Sequence, residues 1–485
     1  MGHRQQQPRR RHGWSALEFK DIEMGDDRIK KRLIELSDSL SERPQDSINR
    51  ASQDWAAAKA AYRFFDNDKV DAEQILSTHR QRSWERLASL PWVLAIQDTS
   101  FLNYSNLEIE GLGPISGKGE LGNYNHGFVL HTVLAVDPES HEQGIPLGIL
   151  NQKIWTRKKK VHNGKKPKAT PAEFKESNKW VESMLATLSP HSSQKVVHVA
   201  DREADITPFM MQTIQQEQYF LIRARHDRIL QSDGQHSTNL WEHMLKQPVI
   251  LDYEVDVNQD ERRLLMYDAV KKAQTRRMTT IPARLAKVEA RIGQVEFADT
   301  QGKLIKVTAI YLKEKNPPNE LVALEWMLLT NVPTKTKAEL RERIRWYKMR
   351  WHIESFHKML KSGCQTESCR METADRLKRY IALNSVIAWR LYWLSRVGRI
   401  DQKTSCEQVL AKHEWQALFM KIKKSKPPQK PPTLAEAMLW IAKLGGFLGR
   451  KGDGFPGVKS MWLGWQRLTD CAQDWLVFKT LNNCG

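Results

Sequence analysis

An α/β core flanked by helical regions is the fold class this sequence predicts, and three observations carry the expectation. Residues 92–96 (WVLAI) and 195–200 (KVVHVA) are short apolar runs with β-branched residues, the pattern of buried strands. Residues 346–361 (WYKMRWHIESFHKMLK) contain no Gly or Pro and are followed by Gly363, which reads as one helix with a stop signal. Residues 249–257, 286–297 and 303–312 alternate or cluster in β fashion, with Pro317 and Pro318 ending the last.

Each of the two apolar runs leads within two residues to an acid, Asp98 and Asp201. A carboxylate at the end of a buried strand costs desolvation unless it is paired or bound to a cation; the alternative is that each caps the next turn. On the 346–361 helix, Tyr347, Arg350, Glu354 and Lys361 stand at offsets of 3, 7 and 14. At about 100° per residue all four fall within an arc of roughly 60°. The alternative there is a solvated edge with Arg350 and Glu354 as an i,i+4 pair. Two cations able to grip phosphate, beside acids able to hold hard divalent ions, are what chemistry on a nucleic-acid backbone requires.

Composition points the same way. The chain has 485 residues, enough for two or three domains, and a formal charge of +19 spread along its length, which calls for an anionic partner of nucleic-acid size. No apolar run approaches the ~20 residues that span a bilayer, the first residues lack a signal-peptide core, and Gln6 stands where lipidation wants Ser or Thr. A cytoplasmic location without a membrane partner is expected. Five cysteines fit a reducing compartment, and Cys364 and Cys369 near His357 lack the second closely spaced pair of a zinc site. Gly117, Gly119 and Gly122 are not followed by Gly-Lys-Ser/Thr, which argues against a nucleotide triphosphate site.

Together these residues resemble the DDE-type bacterial insertion-sequence transposases of the cut-and-paste subgroup marked by Tyr-x2-Arg-x3-Glu-x6-Lys. Tyr347, Arg350, Glu354 and Lys361 match that spacing, and the likeness extends through 58–67 (AKAAYRFFDN), 96–99 (IQDT), 200–205 (ADREAD) and 325–330 (EWMLLT), from about residue 20 to about 470. The resemblance implies a ribonuclease-H-like core in which Asp98, Asp201 and Glu354 are catalytic and hold two Mg²⁺ ions, with Mn²⁺ able to substitute. It also implies that Arg350 and Lys361 position the DNA backbone, that Tyr347 contacts phosphate, that Trp326 receives a flipped-out base, and that Arg32 contacts the transposon end. Arg223 and Arg225, on the strand after Asp201, are further candidates for backbone contact. The implied partners are transposon-end and target DNA and a second copy of the chain, as a homodimer on DNA. Two alternatives remain: a nuclease of the same fold without strand transfer, and a non-catalytic regulator derived from a transposase.

Taken in order, residues 1–13 read as a basic disordered arm and 14–90 as an end-binding helical domain. Within it, helices are expected after Asp26 or Asp27, from 54 to 65 and from 71 to 90. Residues 91–226 form the first part of the core, with a Gly-rich loop at 111–127, strands at 128–136 and 145–155, and a helix from a capping box at 170–173 to about 188. His126 and His131 are expected to be structural. The loop 157–168 carries seven basic residues and is expected to touch DNA backbone. A β-rich insertion spans 227–333, with Lys271, Lys272, Arg276 and Arg277 on a loop. The second part of the core spans 334–397 and includes a long helix at 377–397. Residues 398–485 are expected to be helical, with a linker at 421–432, a capping box at Thr433 and Glu436, and a last helix at 459–481 exposing Trp462, Trp465 and Trp475; the resemblance implies that this region is the dimerisation domain.

Overall fold

The structure is a computed structural model and describes residues 13–482 apart from 53, 119–123, 159–174, 232–237, 258–259, 269–272, 300, 319–322, 401–402 and 451–454. Two compact units divide the chain: Met1–Val196 with Met349–Gly485, and Val197–Lys348.

The first unit opens with α1 (Trp14–Glu18), α2 (Asp27–Glu42), α3 (Ile48–Ala51), α4 (Trp55–Asp66) and α5 (Ala72–Leu87). The three longer helices start where the sequence places them, because Asp26, Asp54 and Asp71 each accept a hydrogen bond from a first-turn backbone N–H. Next come β1 (Trp92–Asn103), β2 (Gly113–Lys118), β3 (Tyr124–Asp137), β4 (Ile145–Trp155), α6 (Lys179–Leu185) and β5 (Lys195–Ala200). β1 extends past its apolar half because β3 pairs it from Leu94 to Asn103. Asp98 is therefore a mid-strand residue opposite Thr132, not a strand-end acid. Part of the expected Gly-rich loop is β2, where a Cβ at Gly113 would lie 2.2 Å from the Arg157 carbonyl oxygen. β3 and β4 form the expected hairpin, with Asp137 accepting from the N–H groups of Glu139 and Ser140. The capping box at 170–173 and most of the basic loop lie outside the described residues.

The second unit holds α7 (Thr207–Gln215), β6 (Tyr219–Arg223), α8 (Leu240–Lys246), β7 (Val249–Val257), β8 (Asp260–Asp268), β9 (Ala273–Ile281), β10 (Arg284–Ala298), β11 (Leu304–Glu314), β12 (Glu325–Thr330) and α9 (Lys337–Lys348). Residues 197–200 of β5 pair in parallel with β6, and β6, β12, β11, β10 and β7 continue antiparallel. β8 and β9 form a separate hairpin. Arg276 and Arg277 lie in β9, not in a loop, while Lys271 and Lys272 are outside the described residues.

The chain returns to the first unit with α10 (Trp351–Lys358), a π-helical turn (Met359–Gly363), α11 (Ala374–Ile400), α12 (Lys412–Lys423), α13 (Leu434–Leu444) and α14 (Val458–Asn482). The expected single helix over 346–361 is thus interrupted. His352 N–H donates to Met349 O and Ile353 N–H to Arg350 O at 2.9 and 3.2 Å, a tightening between α9 and α10, and the π turn then widens the chain. The angular arithmetic of one uninterrupted helix therefore does not apply across 346–361. The expected linker begins only after α12, at Lys424. The capping box of Thr433 and Glu436 forms as expected. Trp462 and Trp465 are buried, whereas Leu476, Val477 and Phe478 near the end of α14 are exposed, so the uncovered apolar surface is more aliphatic than expected.

A buried ionic cluster joins the N-terminal helices to the sheet of the first unit. Glu18 of α1 pairs with Arg86 and His79 of α5. Arg86 also donates from Nε to Leu147 O of β4 at 2.7 Å and lies 4.3 Å above the ring of Trp389. Ile149 N–H donates to His79 Nε2 at 3.0 Å, which leaves Nδ1–H to donate to Glu18. Burial alone would raise the Glu18 carboxyl, but Arg86 and His79 together bring it down to about 2. The neighbours of His79 act against one another, and burial prevails, holding its pKa below the usual value.

Two outcomes follow for chemical denaturation. Arg86→Met leaves Glu18 buried without its guanidinium and should cost about 3–5 kcal/mol; a cost below about 1 kcal/mol would contradict the cluster's role. Because the folded Glu18 carboxyl is depressed from 4.5 to about 2, its contribution is complete above about 4.5 and is lost as pH falls toward 2. The loss should be on the order of 3 kcal/mol and should be absent in Glu18→Gln.

Candidate active site

In the first unit the site is built on one row of side chains. Gln152 of β4, Thr132 of β3 and Asp98 of β1 are register partners across neighbouring strands, so all three project from the same face of the sheet. Gln152 Nε2 donates to Thr132 Oγ1 at 3.1 Å. Helix α10 packs over β1 and β3. From it, His357 reaches down between Thr132 Oγ1, 3.4 Å from Nε2, and Asp98 Oδ2, 3.9 Å from Nδ1. Burial, with the charge of Lys361 adding to it, lowers the His357 pKa to about 3, so the ring is neutral. His131, next along β3, is also buried and neutral, set between Thr99 Oγ1 at 2.9 Å and Gln97 Oε1 at 3.3 Å.

Glu354 precedes His357 by one helical turn and pairs with Arg350. Both stay partly exposed, with 33% of the Glu354 side chain accessible. Lys361, in the π turn, donates to Phe101 O on β1 at 2.8 Å and faces Glu367 at 3.4 Å. The first unit therefore gathers Asp98, Glu354, Arg350 and Lys361 on three packed segments.

Asp201, Arg223, Arg225, Trp326 and Tyr347 belong to the second unit. Asp201 follows β5, and its Oδ1 accepts from Glu203 N–H at 2.9 Å, the turn-capping role open to a strand-end acid. The parallel register aligns Ala200 with Ile222, so Asp201 and Arg223 leave their strands at the same end. Arg223 donates from Nη2 to Glu325 O at 2.6 Å, beside Trp326 at the start of β12. Trp326 is half-buried and meets the buried Tyr347 edge-on, with ring centroids 5.1 Å apart. Three expected DNA contacts, Arg223, Trp326 and Tyr347, are thus brought together. Arg225 is exposed, and its N–H donates to the buried Asp205 carboxylate, which also pairs with Arg228.

Among the N-terminal helices, Arg32 forms an i,i+3 pair with Glu35 at 2.9 Å on the open side of α2. Sequence reading passed over the exposed face of α4. Trp55 is 74% accessible, Lys59 lies 4.7 Å from its ring centroid, and Tyr62 and Arg63 continue the stripe. The signal was available as basic and aromatic residues at helical spacing after the Asp54 cap. His357 was likewise set aside, although it follows Glu354 by three residues.

Asp98, Asp201 and Glu354 offer only carboxylate oxygens, the donor chemistry of a hard divalent ion such as Mg²⁺. Of the softer donors, His357 has Nε2 turned to Thr132 and Nδ1 facing Asp98, and burial pushes the Cys364 and Cys369 thiols up to about 12. The Asp98 and Glu354 carboxylates of the first unit and the Asp201 carboxylate of the second, each taken by itself, are hard oxygen donors whose chemistry fits such an ion. Among the described residues no cluster of three or more His, Cys, Asp or Glu side chains stands preassembled as a cage.

Three family models match the chain in sequence order. A transposase DNA-binding model matches residues 11–70, a transposase DDE domain model residues 130–391, and a transposase Tn5 dimerisation domain model residues 386–474. The DDE match takes in Asp201 and Glu354 and begins after Asp98, and it implies a ribonuclease-H-like core within the α/β architecture. Among the described residues no helix is long and apolar enough to cross a membrane. The DDE match covers more than half of the chain, so the protein belongs to the DDE transposases: it is a DNA transposase that cleaves and joins DNA with divalent metal and carries its own DNA-binding and dimerisation domains.

Proposed function

We propose that this transposase moves its element by cut-and-paste, binding transposon ends as a homodimer and passing through hairpin ends before strand transfer to target DNA. The observation that carries this reading is the packing of α10 over β1 and β3, which brings the segment bearing Glu354, Arg350 and Lys361 onto the strand bearing Asp98. Asp98, Asp201 and Glu354 would hold two Mg²⁺ ions, with Mn²⁺ a substitute. Bound metal would supply activation of the attacking oxygen and stabilisation of the leaving oxygen. Water attacks phosphorus at the transposon end and releases a 3′ hydroxyl. That hydroxyl attacks the opposite strand to make the hairpin, water reopens it, and the 3′ end then attacks target phosphate. Each step is an in-line displacement that breaks one P–O bond as another forms, so one set of positioning groups serves throughout.

The chain's own residues do the holding. Arg350 is already extended over Glu354 and can exchange that carboxylate for a DNA phosphate, since a guanidinium forks onto either. Lys361, tied to the β1 backbone, would fix a second phosphate relative to Asp98. Trp326, braced edge-on by Tyr347 and flanked by Arg223, offers a stacking surface for a displaced base, with Tyr347 and Arg225 contacting nearby backbone. The end is read by residues 14–90, including Arg32 and the α4 stripe from Trp55 to Arg63, with 1–13 as a basic arm. The core comprises 91–226 and 334–397, the insertion 227–333, and the dimerisation domain 398–485. The protein works in the bacterial cytoplasm, on the nucleoid when bound to DNA.

Asp98→Ala, Asp201→Ala and Glu354→Ala should each abolish cleavage of a labelled transposon end in Mg²⁺ while end binding in gel shifts stays within a few-fold; equal loss of binding in all three would mark them as structural. Trp326→Ala should lower hairpin yield more than first-strand nicking, and an unchanged yield on a time course would return Trp326 to a packing role. Lys59→Ala with Arg63→Ala should weaken binding to all DNA sequences alike and reduce the slope of log K against log salt by about 1 per residue. A salt slope equal to the parent's would remove the α4 stripe from the interface.

A further inference from the structure

Behind Asp98 lies a row of polar groups, two of whose links are hydrogen bonds and whose last, from His357 to Asp98, is a 3.9 Å contact. Gln152 Nε2 donates to Thr132 Oγ1 at 3.1 Å, which takes one of that oxygen's two acceptor sites. The Thr132 hydroxyl proton is available to His357 Nε2, 3.4 Å away, and a ring that accepts at Nε2 carries its proton on Nδ1. Nδ1 is the nitrogen that faces Asp98 Oδ2, at 3.9 Å. The three strand residues are register partners on one sheet face, and the histidine comes from the helix that also carries Glu354. Reversing the row would turn an unprotonated Nδ1 lone pair toward the Asp98 carboxylate, an unfavourable contact in a buried place.

We propose that His357 is a positioning residue: it presents Nδ1–H to one carboxylate oxygen of Asp98 and so fixes the other oxygen for metal, while linking the Asp98 strand to the Glu354 helix. This rests on the reading of Asp98 as a metal ligand. Groups that hydrogen-bond a ligating carboxylate restrict its rotation, and their loss typically costs 10–100-fold in metal affinity or activity. The sequence spacing contributes directly, because an i,i+3 step on α10 puts Glu354 and His357 on neighbouring turns of one face. Thr132 is the relay that selects the tautomer, and Gln152 is its anchor.

The test uses the full chain with Mn²⁺ alone as probe, following free Mn²⁺ by electron paramagnetic resonance, with thermal unfolding recorded for each variant. His357→Ala should weaken Mn²⁺ binding about 10–100-fold. His357→Asn, whose amide N–H falls near the position of Nδ1–H, should recover most of that loss, and Thr132→Val should fall between the two. In cleavage assays the same variants should need more Mg²⁺ for half-maximal rate while keeping most of the rate at saturation. If Asp98→Ala loses Mn²⁺ and His357→Ala does not, the inference is overturned while the assignment of Asp98 stands. If folded His357→Asn binds as poorly as folded His357→Ala, the hydrogen-bond explanation is overturned. If Asp98→Ala itself binds like the parent, the ligand reading fails and takes this inference with it.

Discussion

Asp98 stands in the middle of a strand whose residues from Val93 to Gln97 are fully buried, and that placement sets the terms for everything around it. The Asp98 side chain itself keeps 22% of its surface accessible, and its register partners Thr132 and, beyond it, Gln152 are neutral polar groups. α10 covers their face of the sheet with a neutral histidine, Arg350 is committed to Glu354, and Lys361 is tied to the β1 backbone. Divalent metal bound at Asp98 and Glu354 would add positive charge to that face.

The Glu18 cluster meets the same constraint in the opposite way. Its carboxylate is closed off by Arg86 and His79 and cannot exchange partners without unfolding. Permanent pairing suits a structural joint, and this one ties α1 and α5 to β4 and to Trp389 of α11. Further ties run from Arg376 and Arg379 of α11 to Asp66 and to Phe65 O at the end of α4. The N-terminal helices, which the DNA-binding model matches through α4, are thereby tied into the same unit as Asp98 and Glu354. The partly exposed pair of Arg350 with Glu354, by contrast, remains within reach of solvent.

Much of this was legible in the sequence where local chemistry decides the outcome. Asp26, Asp54, Asp71 and Thr433 announced helix starts because a capping oxygen needs only neighbouring N–H groups. The strand at 145–155 was legible from its turn and its apolar run. Legibility failed where distant pairing intervened: β1 outran its apolar half because β3 supplied a ladder, and β2 emerged from a Gly-rich stretch because β3 pairs it as well. It failed also at 346–361, where a run without breakers still split, since i to i−3 closures at Met349 and Arg350 leave no mark in composition. The candidate acids were readable from type and position. The row Gln152–Thr132–His357 behind Asp98 was not, because it depends on a cross-strand register that only the folded sheet defines.

The central claim is that Asp98, Asp201 and Glu354 share divalent metal when DNA is bound. The most direct measurement is anomalous diffraction from crystals of the protein with transposon-end DNA and Mn²⁺. Two manganese peaks are expected, each coordinated by Asp98, Asp201 or Glu354, with Asp201 turned away from the Glu203 N–H and Arg350 moved from Glu354 onto phosphate. Manganese peaks that touch none of the three carboxylates, with Arg350 still paired to Glu354 in the DNA complex, would contradict it.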